Sequence, residues 1–345
     1  MKKSAFVKAL FISFGITFLV SITPAQALFP GWKFDSGIND LNRVGLINQN
    51  GELVIDYRYY YVTPFSEGLA VARKSREGKD GYIDTTGKFV IEPTFNQAFL
   101  FYDGVAKVGT AQGLRFINKK GEELKTPKFE SAHTFSCGLG AVRIDGLWGY
   151  IDTSGRLTIE PRFDWPGKFS EGLAAVVLND GIGYIDKKGS FVIPPIYDVP
   201  SDFVQSFSNL RFSEGLAAVY ISGKYGYIDK TGKFRIDPKF TKADKFSEGV
   251  APVQYNGKYG FCNATGNFTI APIYEDAFYF SQSRASVKQG GKWGVIDETG
   301  KMVVEPKFNF VSEFDGGLAY FSKDRTQGYI DRSGKIVWEW SAQSK

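Results

Sequence analysis

Histidine, cysteine and methionine are scarce in this chain of 345 residues: one His, two Cys and two Met. A single imidazole, His133, leaves no partner for a histidine metal site and is the one histidine that could serve as the base of a nucleophilic triad. Cys137 and Cys262 stand at different positions of distant segments, so two unpaired thiols are expected rather than a disulfide. No phosphate-cradling glycine loop and no dinucleotide fingerprint followed by a helix is present. Beyond residue 22 no apolar run approaches the roughly 20 residues of a membrane-spanning helix.

Charge of one sign is also missing. The basic residues number 42 and the acids 37, and three of the lysines, Lys2, Lys3 and Lys8, stand at the extreme N-terminus. Those lysines precede an apolar run from Ala9 to Ile22 and the small-residue pattern Ala25-Gln26-Ala27, the signature of a cleaved secretory signal. The reading is a signal peptide over residues 1–27 and an exported, periplasmic or extracellular chain from Leu28. That chain keeps 39 bases against 37 acids. A balance so near zero argues against nucleic acid as a partner, and no membrane span is expected in the mature form.

Glycine and aromatics are abundant: 39 Gly, and 16% Phe, Trp and Tyr. They recur with a period. A Gly-aromatic-Ile-Asp-x-x-Gly segment places its Asp or Asn at 48, 84, 118, 152, 186, 229, 263, 297 and 331. The spacing is 34 residues in six of eight intervals, 36 in the first and 43 in the fifth. Nine copies at a fixed period are a stack of units, none able to bury its apolar face alone. A helical 34-residue repeat is excluded by the glycines, by a Pro in almost every copy and by two tight turns per unit.

One copy shows the unit. Gly215 to Tyr220 alternates as strand a, Ser222-Gly223 turns, Tyr225 to Asp229 is strand b, Lys230-Thr231-Gly232 turns again, and Lys233 to Ile236 is strand c. The connector that follows, Pro-x-aromatic-x-x-small-x-x-Phe-x-x-Gly, is expected to be compact and packed inward, with room for a single helical turn, and Pro ends the ladder. Along strand a, Ala70, Ala106, Ala174, Ala217 and their equivalents are small and face a close neighbour. The intervening residue, Ala218 in this copy, varies from Lys107 to Tyr320 and is expected to point outward, to solvent or a partner.

The repeated Asp suits a turn in which its carboxylate accepts from the backbone two residues on, not a calcium site needing six to eight oxygens. The Glu of Phe-Ser-Glu-Gly, at Glu67, Glu171, Glu214 and Glu248, is replaced freely in other copies and reads as a solvated turn residue. Candidate binding residues are those that break the phase. Tyr60 belongs to an off-pattern tyrosine cluster, and Trp165 fills a connector position that is otherwise polar. Phe203, Phe207 and Arg211 belong to a nine-residue insertion near 200–211. His133 has no special neighbours in sequence.

The unit resembles the WG-type bacterial repeat family, named for the Trp-Gly pair seen at Trp148-Gly149 and Trp293-Gly294 and altered to Tyr225-Gly226 and Tyr259-Gly260. The Tyr-Ile-Asp-x-x-Gly-Lys and Phe-Ser-Glu-Gly-Leu-Ala runs match it as well. The resemblance implies a β-repeat scaffold and supplies no catalytic residues. The expected fold is all-β: a cap at 28–42, an array of about nine three-stranded antiparallel meanders over 43–340, and a polar tail at 341–345. An open curved solenoid is favoured over a closed propeller-like ring, because nine blades is a large ring, 34 residues is short for four strands, and both ends look like caps.

The expected role is a non-enzymatic scaffold that binds a protein or a cell-surface polymer, with no catalytic residues, cofactor or metal. The alternatives are an extracytoplasmic hydrolase with an acidic pair hidden among repeated carboxylates, and a carbohydrate-binding module. Export carries its own test: N-terminal sequencing of the mature protein should begin at Leu28. Recovery of an intact chain in the cytoplasm, still starting at Met1, would contradict it.

Overall fold

The computed structural model describes residues 28–33, 43–201 and 207–341. The proposed signal segment, 1–27, lies outside them. The described chain forms nine small antiparallel sheets, each built from consecutive strands. These are blades 1 to 9, covering 29–59, 61–95, 97–118, 131–163, 165–198, 217–240, 242–274, 276–308 and 310–341.

Blade 4 is representative. A two-residue inner strand, Ser131–Ala132, is followed by strand a (Leu139–Ile144), strand b (Leu147–Asp152) and strand c (Leu157–Phe163). Each connection is a tight turn that the sequence prepares. Cys137 and Gly138 have φ of 55° and 87°, and Ser136 and Leu139 exchange both backbone hydrogen bonds, which defines a two-residue hairpin. Asp145-Gly146 makes the second hairpin, with φ of 49° and 81°. In the third turn Asp152 Oδ1 accepts from the backbone N–H of Ser154 at 2.9 Å and of Arg156 at 3.1 Å. The repeated Asp therefore works within its own turn, as expected.

Strand c does not stop at its proline. It runs through Pro161 to Phe163, with register shifts opposite Gly149. The irregular stretch lies so close to strand b that a Cβ on Gly149 would sit 2.4 Å from the Ile159 carbonyl oxygen and 2.8 Å from Pro161 N. Gly81, Gly226, Gly260 and Gly294 are enclosed in the same way. That contact is why the Gly of the Trp-Gly pair recurs even where the Trp is lost. Proline on this outermost strand also blunts an edge that would otherwise template further pairing.

Strands a and b are buried on both faces, whereas strand c alternates buried and exposed. Ala217 and Ala218 are 1% and 0% exposed. The expectation that Ala218 faces outward is thus overturned, because each sheet is sandwiched between two others and both of its faces meet a neighbour. Variation at that position reflects different partners, not solvent.

The nine blades close into a ring, a nine-bladed β-propeller, and the open solenoid is not what the chain forms. The expected cap contributes a strand instead: Phe29–Lys33 pairs with Arg43–Ile47 in blade 1, while 34–42 lies outside the described residues. At the other end Ile336–Ser341 is the outer strand of blade 9, and 342–345 is outside the description. The two ends meet. Phe29 and Tyr329 have ring centroids 5.5 Å apart, and a Cβ on Gly31 would lie 3.4 Å from the Trp338 ring. Elsewhere the glycine of the Asp-x-x-Gly turn packs on the preceding blade's strand c, as Gly266 on Ile236 and Gly300 on Ile270, except Gly155, which meets Lys125 and Thr126 beyond the strands of blade 3. Gly51 of blade 1 makes the corresponding contact with Val337 of blade 9, so the interblade contact continues across the junction.

The arguments against closure fail for identifiable reasons. The fourth strand is only two residues long, so 34 residues suffice. The connector expected to be compact and packed inward contributes that inner strand, as Lys242–Ala243 does in blade 7. The unusual terminal sequences are the two sides of the junction. Because both faces of strand a are packed, Ala217→Leu and Ala218→Leu should each cost about 1–3 kcal/mol in urea denaturation. An Ala218→Leu protein as stable as the parent would contradict the two-sided packing.

Candidate binding face at the ring axis

The Phe-Ser-Glu-Gly hairpins tie each blade to the next. Ser136 Oγ donates to the Phe169 carbonyl at 2.7 Å, and the same bond runs from Ser170 to Phe212, Ser213 to Phe246, Ser247 to Phe280 and Ser281 to Phe314. The neighbouring acid makes a second link. Glu67 accepts from Gly104 N at 3.0 Å, Asp103 from Gly138 N at 2.8 Å, Glu214 from Gly249 N at 3.0 Å and Glu248 from Ser283 N at 2.9 Å. Gln282 does the same for Gly317 N at 2.8 Å, which explains why an amide can replace the acid. These residues are interblade acceptors, not merely solvated turn groups. Charge-assisted bonds to backbone N–H are among the stronger hydrogen bonds.

With the repeated Asp and Glu so engaged, chemistry that distinguishes one blade from another must come from residues that do not repeat. The residue just before each motif Phe reads Pro64, Leu100, Thr134, Lys168, Arg211, Lys245, Tyr279 and Glu313 through successive blades. Several of them reach past the adjacent blade. Lys168 Nζ of blade 5 lies 5.5 Å from the Tyr102 ring centroid of blade 3. Charge on Lys245 and Asp244 of blade 7 acts on Glu313 of blade 9. Side chains of next-but-one blades can meet only where blades converge, so this position marks the ring axis.

The axial charges are mixed, with Asp244 facing both Arg211 and Lys245. Lys107 comes from blade 3, Lys168 from blade 5, Arg211 from the segment leading into blade 6 and Lys245 from blade 7, while Asp244 and Glu313 come from blades 7 and 9. Desolvation pushes Lys168 down to about 8, helped by the positive charges of Arg211 and Lys107. Desolvation and then Arg211 bring Lys245 down to about 8 as well, against the opposing pull of Asp244, Glu313 and Glu214. Lys107 donates to the Ala132 carbonyl at 2.8 Å and stands 4.3 Å above the Phe99 ring. Lys245, 3% exposed, has its Nζ 3.6 Å from the Tyr279 ring centroid. Burial raises both Asp244 and Glu313, and Asp244 adds to the rise at Glu313.

His133 does have notable neighbours. Its ring centroid is 4.7 Å from that of Trp148 and 6.2 Å from that of Trp165. Desolvation, followed by the charges of Lys107 and Lys168, lowers its pKa to about 4, so it is neutral at physiological pH. Phe278, Trp293 and Phe310 repeat the arrangement between blades 8 and 9. The Trp of the Trp-Gly pair is therefore held between its own blade's inner segment and the next blade's. In blade 2 a buried ion pair takes that place: Asp80 accepts from Arg73 Nε at 2.7 Å and from Ala98 N at 2.9 Å.

The residues singled out in the sequence are dispersed. Trp165 is half-buried in the clamp just described. Tyr60 is half-buried at the link between blades 1 and 2, where its backbone N–H donates to the Arg73 carbonyl at 2.8 Å. Phe203 lies outside the described residues. Phe207 opens a 3-10 turn, Phe207–Leu210, and its side chain is likewise outside the description. Arg211 alone joins the axial group, with Lys168 and Lys245. Sequence reasoning missed those two lysines, Tyr279 and Glu313. The signal was available: the position before the motif Phe turns cationic in three consecutive copies.

The cysteines are both unpaired, Cys137 exposed and Cys262 buried. Among the described residues no group of three or more His, Cys, Asp or Glu could hold a metal ion, and no helix is long and apolar enough to cross a membrane.

Fold and axis together define a nine-bladed β-propeller built from one repeated meander. The chain belongs to the family of proteins with the WG containing repeat, whose model matches residues 45–76, 81–109, 115–148, 148–181, 182–225, 225–259, 259–293 and 293–325. No curated protein matches the sequence. Among solved structures, a eukaryotic initiation factor is similar over 92% of this chain and 96% of its own, with a TM-score of 0.62 and 10% identity, a likeness of fold alone. The extracellular domain of a putative one component system from B. thetaiotaomicron aligns over 90% of this chain and 53% of its own, with a TM-score of 0.39 and 10% identity.

The axial lysine yields a stability test. Lys168 titrates near 8 in the fold and near 10.5 when unfolded, so the unfolded chain binds more protons between those values. The cost of its charge is complete below pH 8 and is relieved as pH rises toward 10.5, with Arg211, Lys107 and His133 the facing groups. Lys168→Met should therefore raise Tm at pH 7 modestly, on the order of 1 °C after solvent screening, and the gain should fade above pH 10. A lower Tm at pH 7 would show that the lysine stabilises the ring.

Proposed function

We propose that this protein is an exported, non-enzymatic binding module that holds a partner, a protein or a cell-surface polymer, at its ring axis. One observation carries the reading: residues that differ between otherwise equivalent blades converge at one place. Lys168, Arg211 and Lys245 occupy the same position in successive copies, and Tyr102 and Tyr279 lie beneath two of them. Evolution of a repeat for scaffolding alone gives no reason to put like charges together where they repel. Export rests on the basic, apolar and small-residue pattern of residues 1–27. Binding across a rigid ring also suits the fold, since few backbone groups have to be ordered when the partner arrives.

A second reading, hydrolysis, is favoured by the pair Asp244 and Glu313. Burial raises both carboxyls, which is the direction a general acid needs. A carbohydrate-binding role based on Trp165 and Tyr60 has less support, because Trp165 is engaged by Trp148 and His133.

Photo-crosslinking in producing cells separates these readings. A photoreactive residue at Thr134, beside the axis, should capture a discrete partner, while one at the exposed outer-edge Val192 should not. Equal capture at both sites would contradict axial binding. Turnover of a glycan or peptide substrate that disappears in Asp244→Asn would instead establish the hydrolase.

A further inference from the structure

We infer that Lys168, Arg211 and Lys245, joined by Lys107, form a receptor for a multivalent oxyanion group, phosphate- or carboxylate-bearing, on whatever ligand the axis holds. This inference rests on the axial binding reading and names the chemistry that would be recognised there.

The placement of the cations carries it. Three of them stand at one repeat position in consecutive copies, so the ring geometry itself points them at a common axial volume. Lys107 enters the same space from blade 3, close enough for its charge to act on Lys168. Among the described residues, the charged groups that act on Lys168 are Arg211 and Lys107, both cationic. Asp244 acts on both Arg211 and Lys245, and Glu313 acts on Lys245. The four cations outnumber these two acids, so the axis carries an excess of positive charge, and beside the buried Lys245 an incoming anion gains more than it would on an open face.

The aromatic neighbours fix the ammonium groups. Lys245 Nζ is 3.6 Å from the Tyr279 ring centroid and Lys168 Nζ is 5.5 Å from that of Tyr102, which limits the positions each can take. Arg211 adds a planar fork suited to two oxygens at once, whereas the lysines act as point charges around it. Other lysines over aromatic rings behave differently. Lys239 over Phe240 and Lys307 over Phe308 use the ring of the adjacent residue on strand c, a repeated and structural arrangement. The axial set occurs once and draws on several blades. Charges supplied from more than one blade call for a ligand group carrying more than one negative charge, and a monovalent anion would satisfy only part of the set.

The test uses the mature protein, residues 28–345. Tripolyphosphate serves as the phosphate probe and citrate as the carboxylate probe, with sodium acetate at matched ionic strength as the monovalent control. Isothermal titration calorimetry should show saturable one-to-one binding of at least one polyanion and none of acetate, and the polyanion that binds identifies the source chemistry. Lys168→Gln and Arg211→Gln should each weaken that binding by about tenfold or more, while Lys230→Gln on a hairpin turn leaves it unchanged. Arg211→Lys, which keeps the charge and loses the fork, should fall between parent and Arg211→Gln, and provides a second variant should Arg211→Gln fold poorly. Absence of saturable binding, or equal binding by the parent and Lys168→Gln, overturns the inference. Photo-crosslinking from Thr134 keeps the two readings apart. If a partner is still captured while no polyanion binds, axial binding stands and the oxyanion inference fails. If polyanions bind but no partner is captured, the reverse holds.

Discussion

Each blade depends on neighbours for both of its faces. A three-stranded meander of this length has too little apolar surface to be stable alone, and strands a and b are buried on both faces except near their hairpin ends. The small residues at Ala174, Ala217, Ala251 and Ala285 let successive sheets approach closely. Serine and glutamate then fasten one hairpin to the next, and the Asp-x-x-Gly glycine seats on the preceding blade's strand c. An open stack would leave one such face uncovered at each end. Closure removes both exposed faces, and the atypical residues around Gly31, Gly51, Val337 and Trp338 supply the junction.

Much of a single unit was legible in the sequence because its determinants are local. Hairpin turns need residues that tolerate positive φ, and Ser222-Gly223 or Asn256-Gly257 announce them. The Asp turn was legible for the same reason, as was the resemblance to the WG repeat. What was not legible depends on how units meet. Period-two alternation says that Ala217 and Ala218 point opposite ways, but not that both directions lead into packed neighbours. A two-residue inner strand carries too little pattern to be recognised. Terminal sequences that deviate from a repeat look the same whether they cap an array or join to each other.

The candidate site followed the same division. Residues that break the phase were sought, and that criterion found Arg211, yet Trp165 also breaks the phase and is part of an interblade clamp. Lys168 and Lys245 were overlooked because each stands in an ordinary copy, and only their shared position before the motif Phe connects them. Closure gives that connection its meaning, since identical repeat positions converge at the axis of a ring but lie along a line in an open stack. Repetition thus holds the ring together through its turns and hairpins, and the departures from repetition are concentrated where all the blades can contribute to one site.

Closure at the junction is the most direct claim to measure. Spin labels at the exposed positions Glu52 and Glu339, in a chain with Cys137→Ser, report the separation of blades 1 and 9 by pulsed electron paramagnetic resonance. A closed ring predicts one narrow, short distance, about the 10 Å spacing of packed sheets plus the reach of the two labels. A long or broadly distributed distance, spanning the length of the array, would contradict the ring and with it the convergence of the axial cations.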